Sequence, residues 1–109
     1  MKSPITTHIL DTSKGRPAAG VPVVLEKLEA GAFVKKSSGI TDADGRVTTL
    51  LKPGELTEGR WQLRFDVSLY LKESFYSDIP VIFSVTRTDE HYHVPLLLNP
   101  YGYSTYRGS

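Results

Sequence analysis

Apolar and polar residues alternate along this chain in short runs, and a period of two marks half-buried strands. The clearest run is "RWQLRFDV" from Arg60, in which Trp61, Leu63, Phe65 and Val67 fall on one face. "IPVIFSV" repeats the pattern with Ile79, Val81, Phe83 and Val85. Further candidate strands are Ile5 to Asp11, "VPVVLEKLE" from Val21, "FVKKSSGIT" from Phe33, a brief one at Val47 to Leu51, "HYHVPLLL" from His91, and the segment after Pro100. Gly, Pro, Asp and Asn punctuate them; Asp42-Ala43-Asp44-Gly45 reads as a turn in which Gly45 suits a positive φ. One stretch departs from alternation. "DVSLYLKESF" carries Leu69, Tyr70 and Leu71 in succession, and Asp66 or Ser68 can cap a helix, so a short helix is expected there. Seven or eight short strands with one short helix predict an all-β sandwich, a single domain over residues 1–109.

Composition narrows the function classes. With 39% hydrophobic and 23% charged residues the chain can bury a core and is not disordered by charge excess. The net charge of +1 supplies no field that would draw nucleic acid or anionic lipid. There are no cysteines, which removes disulfides, thiolate zinc sites and cysteine nucleophiles together. No apolar run approaches the ~20 residues that span a bilayer. "MKSPITTHIL" also lacks the apolar centre of a signal peptide, so a cytoplasmic protein is expected, or a periplasmic one if a leader was removed.

Alternation also sorts the candidate chemistry. Tyr92, Val94, Leu96 and Leu98 share an apolar face, which turns His91, His93, Pro95 and Leu97 away from the core. Ile5, Thr7 and Ile9 likewise oppose Thr6, His8 and Leu10. Outward histidines are most simply solvated. His91 and His93 could also ligate a metal with His8 as a third ligand, but no cysteine and no clear acidic ligand supports that, and no metal is expected. Arg46, just after the Gly45 turn, is either a solvated arginine or a rigidly held partner for an anion or oxyanion. In "YGYSTYRGS" the faces are Gly102, Ser104, Tyr106, Gly108 and Tyr101, Tyr103, Thr105, Arg107. Two glycines on one face permit close approach of another backbone, as in an edge strand covered by a partner.

Taken together, "THILDTSKGRPAAGVPVVLE", "TDADGRV", the short helix after "RWQLRFDV", and "HYHVPLLLNPYGYSTYRGS" resemble the transthyretin-like family over essentially the whole chain. The match is to its enzyme branch, the 5-hydroxyisourate hydrolases of purine catabolism, whose signature the terminal Tyr106-Arg107-Gly108-Ser109 resembles. The hormone-carrying branch continues into an apolar tail instead. Asn99 stands where the family has Ser before the Pro-Tyr element.

That resemblance implies a sandwich of two four-stranded sheets with one short helix, assembled as a homotetramer whose sites lie in a central channel. It implies opening of the 5-hydroxyisourate ring to 2-oxo-4-hydroxy-4-carboxy-5-ureidoimidazoline, without metal or organic cofactor. Carried over position by position, His8, Arg46 and His93 are the expected catalytic residues, and Tyr106, Arg107, Gly108 and Ser109 the expected substrate-binding ones. One of the two histidines would activate water and Arg46 would stabilise the oxyanion; which histidine is the base stays open. The alternatives are a small-ligand carrier of the transthyretin type, which needs an apolar lining, and a plain interaction module.

Overall fold

The computed structural model describes residues 3–109 as two β-sheets packed face to face. Nine strands occur among them: β1 Ile5–Asp11, β2 Arg16–Pro17, β3 Pro22–Glu29, β4 Ala32–Ile40, β5 Arg46–Val47, β6 Gly59–Asp66, β7 Asp78–Val85, β8 Tyr92–Asn99 and β9 Gly102–Thr105. The first sheet runs β2-β1-β8-β9, and β5 also pairs with β1; the second runs β4-β3-β6-β7. Counting the two-residue strands β2 and β5, the first sheet therefore has five strands rather than the expected four.

The two sheets close on the apolar faces that alternation marks. Trp61, Leu63, Phe65, Ile79, Val23 and Leu25 from the second sheet meet Ile5, Ile9, Leu96 and Leu98 from the first, all essentially sealed from solvent. Each such side chain contributes about 1.5–3 kcal/mol by leaving water. The Trp61 indole N–H, a buried donor, is satisfied by the Thr57 carbonyl at 2.8 Å. The strand expected at Val47 to Leu51 is shorter than alternation suggests. The chain leaves the sheet after Val47, and Leu50 and Leu51, adjacent and both buried, lie outside any strand.

The expected helix is absent: no helix occurs among the described residues. Asp66 does accept the Ser68 N–H (3.1 Å) and hydroxyl (2.6 Å), and the Leu71 N–H donates to the Val67 carbonyl at 2.8 Å, so a single turn starts. It does not propagate. Val67 is held in the core, Tyr70 donates its hydroxyl to the buried Asp11 carboxylate at 2.7 Å, and Phe75 donates its N–H to the Pro100 carbonyl at 2.7 Å. These anchors pull on successive residues, and one hydrogen bond does not offset the cost of nucleating a helix.

Three features of the first sheet position its outer face. β1 and β8 pair in parallel over seven residues, setting Thr6 opposite His93 and His8 opposite Pro95. On the other side of β1, β5 sets Arg46 opposite His8. The turn before β5 is tightly tied: Asp42 Oδ1 accepts the N–H groups of Asp44 and Arg46, and Ile9 N–H donates to the Gly45 carbonyl at 2.8 Å. Gly45 sits at φ 73°, and a Cβ there would lie 2.5 Å from the Ile9 carbonyl oxygen. Gly45→Ala is therefore expected to lower unfolding stability by about 1–3 kcal/mol, measured by urea titration, from the backbone strain and the clash together; an unchanged midpoint would contradict this account of the turn.

Candidate active site

Crosswise rows of the first sheet bring chemistry from distant parts of the chain onto one face. One row runs Thr6, His93, Gly108 and the next Arg46, His8, Pro95, about two residues or ~7 Å along the strands from the first. Above this face lies a depression of about 730 Å³ lined by Thr6, Thr7, Arg46, Thr48, Thr49, His91, His93 and Ser109. Every one of these residues is polar.

His93 is held on three sides. Its Nδ1 lies 2.8 Å from the Thr6 hydroxyl, its ring stacks with that of His91 at 6.3 Å between centroids, and Gly108 closes over it. A Cβ on Gly108 would approach the His93 ring to 2.7 Å, while the Gly108 N–H donates to the His93 carbonyl at 2.8 Å. The close approach expected of this glycine thus happens within the chain. Half-burial pushes the His93 imidazole below its ordinary value, and the Arg46 guanidinium, His91 and His8 push it further down, outweighing the contribution of a hydrogen bond to the Thr6 backbone. His93 is consequently neutral at pH 7 and able to accept a proton.

The other expected residues divide. Arg46 and Ser109 line the depression. His8 does not line it but sits in the adjoining row, half-buried beside Arg46 and close enough to His93 to disfavour its charge. Arg107 turns elsewhere: its guanidinium donates to Glu90 at 2.9 Å and to the His91 carbonyl at 3.3 Å, and stacks 4.3 Å above the Tyr92 ring. With Tyr106 it borders a separate, more apolar groove beside Phe83 and Val94. Within one chain, then, Tyr106 and Arg107 face one depression and Ser109 another.

The threonines were not singled out from the sequence. Thr6 shares the outward face with His8, so alternation placed it correctly, but a threonine carries no chemical signature until its neighbours are known. Among the described residues no three His, Asp or Glu side chains converge as a metal-ligand set. His91 and His93 instead share one hydroxyl.

The His93 environment is directly measurable. Its imidazole is expected to titrate below 6.5 by NMR, and Arg46→Gln to move the midpoint upward, because removing a neighbouring cation eases protonation. Since the unfolded chain takes up this proton first, stability should fall as pH drops below about 6.5. A midpoint at or above the ordinary value would refute the assignment.

Comparison with known proteins agrees with this architecture. The sequence model of the HIUase/Transthyretin family matches residues 5–108. A mouse (Mus musculus) protein named 5-hydroxyisourate hydrolase is 43% identical over 113 residues, covering 98% of this chain and 96% of its own. The solved structure of Klebsiella pneumoniae 5-hydroxyisourate hydrolase superposes with a TM-score of 0.84 at 34% identity, covering 96% of this chain and 97% of that one. Sea bream transthyretin, solved in complex with thyroxine, superposes with a TM-score of 0.91 at 28% identity, covering 97% and 95%. On the match to its family model and the extent of these likenesses, the chain belongs to the HIUase/transthyretin family.

Proposed function

We propose that this protein hydrolyses 5-hydroxyisourate, with the depression over the first sheet as its active site. The observation that carries this reading is a half-buried imidazole, His93, whose charged form is disfavoured, beside the Arg46 guanidinium in a cavity lined by Thr, His, Arg and Ser residues. A carrier of apolar ligands would gain its affinity from aliphatic and aromatic side chains, and no such residue lines this cavity. The names of relatives covering nearly the whole chain support the same substrate.

Ring opening is an attack of water on a ring carbonyl, followed by loss of the ring nitrogen and formation of a carboxylate. The attacking water must lose a proton, and a neutral imidazole near its working pH is the suitable acceptor. His93 meets that requirement on the cavity side, with His8 in the next row to orient substrate or share the proton. As the carbonyl becomes tetrahedral its oxygen gains negative charge. Arg46, whose backbone is held by the Asp42 turn and whose side chain lines the cavity, offers its guanidinium N–H donors to that oxygen.

Assembly belongs to the proposal. A homotetramer would let Tyr106 and Arg107, which face away from their own chain's cavity, close a neighbouring subunit's site. β9 lies at the end of its sheet with no further strand beside it among the described residues, and Tyr103 and Tyr106 are exposed there. That is the kind of edge a second chain can cover.

The test is direct. Urate oxidase generates 5-hydroxyisourate, and its ultraviolet absorbance decays spontaneously; the protein should accelerate the decay severalfold or more at catalytic concentrations. No acceleration would end the enzymatic reading. His8→Ala, His93→Ala and Arg46→Ala should each reduce kcat by about 10²–10⁴-fold with the fold intact by circular dichroism. Removal of Tyr106 to Ser109 should also abolish most activity; a fully active truncated protein would assign the segment a purely structural role.

A further inference from the structure

Two contacts of the Thr6 hydroxyl have no part in the mechanism above. Its Oγ1 lies 2.8 Å from Nδ1 of His93 and 3.0 Å from Nε2 of His91. Thr6 is only 6% exposed and lies directly opposite His93 in the β1–β8 pairing, so the hydroxyl is fixed by the sheet itself. A hydroxyl has one proton to donate and lone pairs with which to accept. It can donate to one of the two ring nitrogens only; the other ring must donate to it. The tautomers of His91 and His93 are therefore linked. A bare Nδ1 on His93 requires a proton on Nε2 of His91, and a bare Nε2 on His91 requires a proton on Nδ1 of His93.

Catalysis selects between these two arrangements. With Nδ1 engaged by Thr6, the nitrogen of His93 left for the cavity is Nε2. A base at Nε2 needs its own proton on Nδ1. The chain then runs from His93 Nδ1–H to Thr6 Oγ1, and from the Thr6 O–H to His91 Nε2. We propose that Thr6 is a positioning residue that joins His93 to His91 in a hydroxyl-bridged relay, holding His93 in the basic tautomer and transferring charge to His91 during turnover. The relay rests on the hydrolytic reading of the cavity.

The proton count closes. Nε2 of His93 takes a proton from the attacking water as the water oxygen bonds to the ring carbonyl carbon. The Nδ1 proton of His93 passes to Thr6 Oγ1, and the Thr6 proton passes to Nε2 of His91. His93 is then neutral with its proton on Nε2, and His91 is the imidazolium. When the carbon–nitrogen bond breaks, the Nε2 proton goes to the departing ring nitrogen. The relay runs back, returning a proton to Nδ1 of His93 and leaving His91 neutral.

The surroundings favour this direction. His93 is half-buried and faces Arg46 from β5 and His8 from β1, so an imidazolium there is disfavoured. His91 is exposed to water, just before β8. Glu90, the acidic group next to it, is tied to Arg107 at 2.9 Å. Moving the positive charge two bonds along the relay takes it away from Arg46 and into solvent, where ions are stabilised.

The test combines spectroscopy with kinetics. In the free wild-type protein at neutral pH, ¹⁵N NMR of the ring nitrogens should show His93 protonated at Nδ1 and His91 bare at Nε2. Thr6→Val, nearly isosteric, should abolish that preference and lower kcat by about tenfold or more with KM changed less than about twofold. Thr6→Ser, which keeps the hydroxyl, should stay within about threefold of wild type. Because the residues act as a unit, Thr6→Val combined with His91→Phe should be no slower than Thr6→Val alone. A bare Nδ1 on His93, a fully active Thr6→Val protein, or strictly multiplicative losses in the double variant would each overturn the relay. The nitrogen shifts are read without substrate, so inactivity of the wild-type protein toward 5-hydroxyisourate would overturn the hydrolytic reading separately.

Discussion

The parallel pairing of β1 with β8 is the constraint on which the rest of the structure depends. It joins residues more than eighty positions apart in the chain, and it must be reached by closing a loop that contains the entire second sheet. Closure of that length costs little more than a loop half as long, since the entropy grows only logarithmically. What repays it is burial: Ile5 and Ile9 from one strand and Leu96 and Leu98 from the other complete the core against Trp61, Leu63 and Phe65. The same seven-residue register puts Thr6 beside His93 and His8 beside Pro95 on the far side. A slip of either strand by one residue would turn that strand over, exposing its core face and burying its histidine. Core stability and site geometry are thus one decision.

Electrostatics on that outer face follow from the same placement. Arg46 reaches His8 only because a two-residue strand adds to the free edge of β1, and it does so through a glycine turn tied to the Ile9 backbone. A guanidinium fixed near an imidazole disfavours the charged ring, which is unhelpful for stability at acid pH and useful for a base at neutral pH. The second sheet shows the opposite solution. There Glu26, nearly buried, accepts a 2.6 Å hydrogen bond from Gln62 and pairs with Arg64 at 3.2 Å, so the charge is compensated on the spot. One polar cluster is satisfied and structural; the other is left under tension toward an open cavity.

The terminal segment illustrates how one short sequence serves several ends. Gly108 packs on His93 because it has no side chain, Ser109 reaches the cavity rim, and Arg107 stacks on Tyr92 on its way to Glu90. Alternation does not account for the split: it sets Tyr106 and Arg107 on opposite faces, yet both border one groove while Ser109 lines the other depression. It does not say which surface either face meets, because that depends on where β8 ends and how the chain returns along it.

The sequence by itself determined the class of the fold, the apolar faces of its strands and the residues with reactive groups. Period-two patterning is a local property, readable at Trp61-Leu63-Phe65-Val67 or at Tyr92-Val94-Leu96-Leu98 without knowledge of any partner. It also turned His8 and His93 away from the core, and the motif resemblance added Arg46 and the terminal residues. Where local signals misled, a competing tertiary anchor had won. The Asp66 cap began a turn, but Tyr70 was claimed by Asp11 and Phe75 by Pro100. Only the tertiary structure decided that Thr6 stands between two histidines, that His8 stays off the cavity lining, and that His93 is driven toward neutrality. Those are matters of distance between residues far apart in the chain, set by strand register, and no local pattern encodes which strand a given face will lie beside.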